Sequence, residues 1–498
     1  MTDTVQLTGR DLSIEALIRI GTGARTTLAP EGLARMARAR QVIDDAVAKG
    51  RPIYGVTTGL GPRVVEALPR DELEAFALST VRGRAHSVGD DLQEGVCRAA
   101  LAVRTNTLLI GAAGVRPALA ELMVDCLNAG LTPAIRNVGS IGAADLMWGG
   151  DFGLALIGEG RMWVRGKIRP AGDALAAAGL TPWTPATREG LALVSHSSVS
   201  AGLAAIAVRR AQNALEGAQT ATALVIEGFR ANLSVLDPDL LAVRPQPGQS
   251  EAAAGLAHRL EGSALHQPGA ARRLQDPLSI RNAPQIHGAV FAALQTARSA
   301  VEIEINGASD NPGVMIERGD VASHGGYLTP HLMITLGALA QSLSMLASAQ
   351  CARIGKMNAT RFTDLPNGMV TGAGMGAGLA PVMKTAEALT AEIIHAGAPV
   401  PVYPGFSADG LEDVSCHTAL AGKSVMRQVE MLKRLTAIEA IAGARAVSLR
   451  GIDETIAPRL RKPFARVIGI SPNSAADRAL GDEIEAIAGD LNAILALD

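Results

Sequence analysis

The sequence predicts a mainly α fold: a bundle of long central helices with a small mixed part towards the N-terminal end. Three observations carry this. Apolar residues make up 48% of the 498 residues and aromatics only 3%, with alanine and glycine abundant, so small side chains let helices approach closely. Apolar positions recur every three or four residues over long stretches. Strand signals are few and short.

In chain order, short extended segments are expected near Leu7, Ile53 and Met162 to Ile168. Helical periodicity runs through Leu101 to Asn128, Glu189 to Phe229, His287 to Ile305, Leu332 to Ala352 and Pro381 to His395. The clearest stripe is Val425, Val429, Leu432, Leu435, Ile438 and Ala442, with Lys433, Arg434 and Glu439 between. Turn-rich stretches fall at Asp237 to Gln249, His266 to Pro284 and Ala396 to Asp409. A division is expected near residue 190, into an N-terminal part (1–190) and a long-helix oligomerisation core (191–498). Several long apolar stripes need covering, which favours a homo-oligomer over a monomer.

The net charge of −2 argues against nucleic acid or an acidic membrane as the main partner. Cys97, Cys126, Cys351 and Cys416 are too scattered for a disulfide framework and form no CxxC pair, so no metal site is expected. No basic region followed by an apolar run opens the chain, and no stretch of about 18 uninterrupted apolar residues occurs, so a cytoplasmic protein without membrane contact is expected.

Five segments carry candidate chemistry. Tyr54-Gly55-Val56-Thr57-Thr58-Gly59-Leu60-Gly61 is a glycine loop whose backbone can approach a ligand, opened by a tyrosine able to serve as a base; it also suits an ordinary packed loop. Gly139 to Leu146, with Gly142-Ala143-Ala144-Asp145 at its centre, is a glycine-rich turn entering a helix, where free N–H groups favour developing negative charge. Gln275-Asp276-Pro277-Leu278-Ser279-Ile280-Arg281 and Pro284-Gln285 place an arginine in a turn, suited to a bidentate grip on a carboxylate. Asp310-Asn311-Pro312 is a turn. Leu411-Glu412-Asp413-Val414-Ser415 is a helix start in which Glu412 is either functional or simply capping.

In this order the segments resemble the aromatic amino acid lyase superfamily, the histidine, phenylalanine and tyrosine ammonia-lyases and related aminomutases, over nearly the whole chain. Arg104 to Asn106 and Gly114-Val115-Arg116-Pro117 also match it, as do Asn128 to Pro133 and Asn306 with Asp310-Asn311-Pro312. The resemblance implies a lyase with Tyr54 as base and Glu412 as a polar catalytic group. It further implies Arg281 and Gln285 on the substrate carboxylate, Asn306 nearby, and a homotetramer whose sites take residues from more than one subunit. Arg84 falls near the position that meets the substrate side chain; it also suits a solvated helix or pairing with Asp90 or Asp91. Ser195, His196 and Tyr327 fall on family substrate-site segments, with a satisfied core histidine the plainer reading of His196.

The resemblance fails at several places, most consequentially at the cofactor loop. Family enzymes cyclise Ala-Ser-Gly into methylidene-imidazolone, whereas Gly142-Ala143-Ala144-Asp145 is one residue shorter, with no hydroxyl to eliminate and no glycine in the tripeptide. Leu278 replaces the loop tyrosine, and Ser195-His196-Ser197 replaces Asn-Gly-Thr. No cofactor is therefore expected. The expected activity is a tyrosine-base elimination, of carbon–nitrogen lyase type, on a small carboxylate. A conventional ammonia-lyase with a misrendered loop, or a non-catalytic binding or scaffold paralogue, stays open.

Overall fold

The computed structural model describes residues 3–371, 376–474 and 476–497. It is mainly helical and divides into two compact units. The first comprises 1–207, 298–334 and 400–422; the second comprises 208–297, 335–399 and 423–498. The expected single division at residue 190 is thus replaced by units to which the chain returns repeatedly.

The first unit contains the mixed part. Thr4–Leu7 pairs in parallel with Arg25–Leu28, and Leu131–Pro133, Arg161–Val164 and Lys167–Pro170 form an antiparallel sheet. The strand expected at Ile53 is a turn instead: the Ile53 carbonyl accepts from Val56 and Thr57, and the Thr57 hydroxyl donates to the Arg51 carbonyl at 2.6 Å. The helix expected over Leu101 to Asn128 is two, Glu94–Leu108 and Pro117–Ala129. Gly111 and Gly114 between them adopt φ of 85° and 70°, and Pro117 suits a first helical position. The Glu189 to Phe229 pattern is likewise Glu189–Val194 followed by Ser198–Phe229. The break has a cause: the His196 N–H donates to the Ala144 carbonyl and that of Ser197 to the Ser309 hydroxyl, in place of helical partners.

Glycines bring three helices of this unit into backbone contact. A Cβ on Gly150 would lie 2.2 Å from the Arg84 carbonyl, one on Gly149 2.0 Å from the Val194 oxygen, and one on Gly190 1.9 Å from the Ala77 oxygen. Leu73–Arg82, Leu146–Leu156 and Glu189–Val194 therefore pack at a separation that no larger residue permits there.

The second unit is built from long helices, among them the rest of Ser198–Phe229, Pro330–Met357 and Thr418–Arg450. Gly228 and Gly443 close the contact between the first and last of these: a Cβ on Gly443 would lie 2.8 Å from the Leu224 carbonyl carbon. A buried polar network crosses them. Arg353 pairs with Glu439 and donates to the Thr222 hydroxyl at 3.0 Å, while Gln350 donates to Glu439 at 2.8 Å and to Thr436 at 2.9 Å. Among the described residues two segments, Glu189–Phe229 and Pro330–Met357, are long and apolar enough to cross a membrane by length and composition; the apolar window of the first is wholly buried, as a core helix is.

Candidate active site

In the first unit, the Tyr54 turn, the end of the Leu73–Arg82 helix, the 142–145 turn and the 404–413 loop converge on one cavity of about 200 Å³. Tyr54, Arg84, Ala143, Ala144, Ser195, Tyr327 and Glu412 line it, with Asn311. The tyrosine turn requires its first glycine: Gly55 has φ 62°, and a Cβ there would lie 2.5 Å from Leu191 and from Leu60. The loop then folds back so that the Gly61 N–H donates to the Tyr54 Oη at 3.1 Å.

Arg84 is placed by its backbone, clamped against Gly150. Its guanidinium forms no hydrogen bond or ion pair within the described residues and is the one cationic side chain among those lining the cavity. Burial lowers its pKa, with the charges of Tyr54 and Glu412 acting in the opposite sense. Glu412 sits in a closed loop, its N–H donating to the Ser407 carbonyl at 3.1 Å while the Gly405 N–H donates to Asp413 at 3.0 Å. Burial raises the Glu412 carboxyl, and Arg84 partly offsets this. The cavity thus carries one cation and one acid, neither neutralised by a direct partner.

The 142–145 turn is pinned at every residue. Gly142, Ala144 and Asp145 have φ of 78°, 62° and 44°. The Ala144 N–H donates to the Tyr327 carbonyl at 3.3 Å, and the Ala144 carbonyl accepts from His196 N–H at 3.1 Å. Asp145 is buried and turned away from the cavity lining: its carboxylate accepts from the Ser140 hydroxyl and from the Ser200 N–H (2.8 Å) and hydroxyl (2.6 Å). Burial raises its pKa, and these bonds offset part of that.

Other expected site residues lie elsewhere. His196 is fully buried, its Nε2 3.1 Å from the Leu193 carbonyl and its ring edge-on to Phe152 at 5.1 Å. Burial, with Arg104's charge, pushes its pKa down to about 3, so it is a neutral core residue. Asn306 is a tie: its amide accepts from the Leu12 N–H at 2.8 Å and donates to the Leu12 carbonyl at 2.9 Å, fixing the N-terminal segment. Asp145 anchors the Ser198–Phe229 helix instead of facing the cavity. Arg281 and Gln285 belong to the second unit, where they line a cavity of about 490 Å³ with Leu240, Gln249 and Leu278. The Gln275 amide, turned so that both groups are satisfied, accepts from Arg281, and Arg353 donates to the Ser279 carbonyl at 2.9 Å and steadies that loop.

One cavity residue, Asn311, and one perturbed carboxyl outside the cavity lining, Glu304, were missed. Asn311 lines the cavity and is held from below: Arg104 grips Asp310 at 2.9 and 2.7 Å, and Arg188 donates to the Pro312 carbonyl at 2.7 Å. Burial opposes the Asp310 charge, but the two arginines outweigh it and keep its pKa below the ordinary value. Asp310-Asn311-Pro312 was visible as a turn, with nothing local to aim it. Glu304, near Asp145, has its carboxyl pushed up to about 7 by burial and by that neighbour's charge; it sits in an apolar helical pattern that gives no local cue.

The aromatic amino acid lyase family profile matches residues 12–468. The histidine ammonia-lyase of Treponema denticola is 32% identical over 90% of this chain and 89% of its own. That of Anaeromyxobacter dehalogenans is 32% identical over 97% and 98%. Among solved structures, the ergothioneine-degrading ergothionase of Treponema denticola superposes with a TM-score of 0.95 at 26% identity, covering 99% of this chain and 100% of that one. Histidine ammonia-lyase of Trypanosoma cruzi gives 0.90 at 29% identity, over 98% and 93%.

Proposed function

The chain belongs to the aromatic amino acid lyase family, and on that premise we propose that it is a carbon–nitrogen lyase in which Tyr54 is the base and no methylidene-imidazolone takes part. The observation that carries this is the 142–145 turn. The family's ring needs a serine hydroxyl to lose and a glycine nitrogen to attack the alanine carbonyl. Here Ala143 is followed by Ala144 and Asp145, the Ala144 N–H is engaged by Tyr327, and Asp145 is locked by Ser140 and Ser200. These residues do not fit the ring, and no step is routed through it.

Without that electrophile a primary amine is too poor a leaving group. The substrate then brings its own: a quaternary ammonium, which departs as a neutral tertiary amine. The ergothionase neighbour is named for degrading ergothioneine, a betaine with such a nitrogen. In this chain the Tyr54 oxygen takes the proton from the carbon next to the C–N bond, the double bond forms, and the C–N pair leaves with nitrogen. The Gly61 N–H donates to the oxygen that works. Glu412, half-buried and unpaired within hydrogen-bonding distance, faces the departing cation.

The site is completed by assembly. Arg281 and Gln285 meet the substrate carboxylate from a neighbouring subunit of a homotetramer. The exposed apolar side chains around their cavity, Leu240 and Leu278, support that association. The reading is tested by amine release from trimethylammonium carboxylates assayed beside the corresponding primary amino acids. Release from the quaternary compounds alone is expected; equally fast ammonia release from primary amino acids overturns it.

A further inference from the structure

Resting on that lyase reading, and deepening it to a substrate class, we infer that Arg84 receives a carboxylate attached to the carbon that loses its proton, so that the substrate is a dicarboxylic betaine. The juxtaposition behind this is a half-buried guanidinium with no partner among the described residues, sharing one small cavity with the Tyr54 base and with Glu412.

A cation drawn partly out of water without a hydrogen-bond partner loses hydration and gains no direct bond in exchange. Arg84, half-buried, is in that state. Glu412, and Tyr54 when ionised, act on it through space, and among the described residues no carboxylate oxygen lies within ion-pair distance. Nor can the side chain swing away by moving its backbone, since Gly150 seats directly on the Arg84 carbonyl. A planar fork of donors lining a cavity fits a planar pair of acceptor oxygens better than an apolar or aromatic group, which would leave every donor unsatisfied.

The chemistry asks for the same group. When Tyr54 breaks the C–H bond, the electron pair on that carbon needs a place to go until the C–N bond yields. A carboxylate on the same carbon accepts it as an enediolate, and the second negative charge so created falls on oxygens held by Arg84. The guanidinium therefore gains interaction as the proton leaves, which is where binding accelerates a reaction. The balance closes within the site: the proton passes to the Tyr54 oxygen, the carbon–carbon double bond forms, and nitrogen departs with the C–N pair as a neutral trialkylamine. Glu412, on the lining of the same cavity, suits the cationic nitrogen. A volume of about 200 Å³ suits a short acyclic skeleton.

Calorimetric titration of the intact full-length protein with fumarate and with crotonate separates the possibilities, because the two differ only by carboxylate against methyl. Fumarate is expected to bind at least about tenfold more tightly. Arg84→Gln should bring that ratio close to one while the fold, followed by circular dichroism, persists; Arg84→Lys should keep part of it. A ratio near one in the unaltered protein, a ratio that survives in Arg84→Gln, or no binding of either compound overturns the inference. Turnover is then read separately as fumarate formed from trimethylammonio-succinate. Intact fumarate preference without amine release from any quaternary carboxylate would remove the lyase reading and leave the role of Arg84 standing. Amine release from other quaternary carboxylates without fumarate preference would do the reverse.

Discussion

Tyr54, Arg84 and Glu412 are three residues from three loops, and each is placed by something different: a glycine turn, a backbone clamp and a closed loop. Tyr54→Phe removes the oxygen and little else, so circular dichroism and melting should match the parent while turnover of a quaternary carboxylate falls by about 10²–10⁴. A second expectation concerns Glu304. Its folded carboxyl sits at about 7 against an ordinary 4.5, so the folded protein holds a proton that the unfolded chain has released. That contribution to stability is complete below about pH 4.5 and is lost as pH rises through about 7. Denaturant titrations should show Glu304→Gln with a flatter stability profile across this window, and an unchanged slope would remove the assignment. The motif residues Tyr54, Ser195, Tyr327 and Glu412 were legible in sequence because each stands in a recognisable segment. His196 is the core histidine of its plainer reading, not the substrate-site residue its family segment implied, because Phe152 and Leu193 enclose it and adjacency in sequence does not report which way a side chain faces. That Arg84 stands without a partner depends on helix packing and was equally invisible.

The elements around the site are set by glycines. Gly150→Ala drives a Cβ to within 2.2 Å of backbone, which neither the Leu73–Arg82 helix nor the Leu146–Leu156 helix can yield without moving Arg84. The expected loss is at least about 3 kcal/mol, the upper end of ordinary overpacking, read from a shifted denaturation midpoint. Gly95→Ala is the control. It lies in the Glu94–Leu108 helix with nothing within 4 Å, and should stabilise by up to about 1 kcal/mol through helix propensity. Long helices such as Thr418–Arg450 and Pro330–Met357 were readable from their apolar stripes, though both run on past the stretches those stripes marked. The interruptions were not. The break before Ser198 exists because Ala144 and Ser309, remote in sequence, take over the N–H groups of His196 and Ser197. No local pattern encodes a tertiary hydrogen bond.

For the whole molecule, the family resemblance and the ordered motifs gave the fold class, whereas the two discontinuous units follow from long-range packing that periodicity does not report. Arg281 and Tyr54 belong to different units, and in the proposed tetramer they reach one site from different subunits. Tyr54→Phe and Arg281→Leu proteins, each inactive alone, should then recover a fraction of activity when unfolded and reassembled together; mixtures as inactive as their parts would contradict shared sites. The account as a whole stands on a tyrosine working beside an uncyclised turn. Intact-protein mass spectrometry on a preparation that is turning over a quaternary carboxylate tests this most directly. The mass of the encoded chain, with activity abolished in Tyr54→Phe, is the predicted result; a mass lower by two water molecules, accompanied by ammonia release from a primary amino acid, would contradict it.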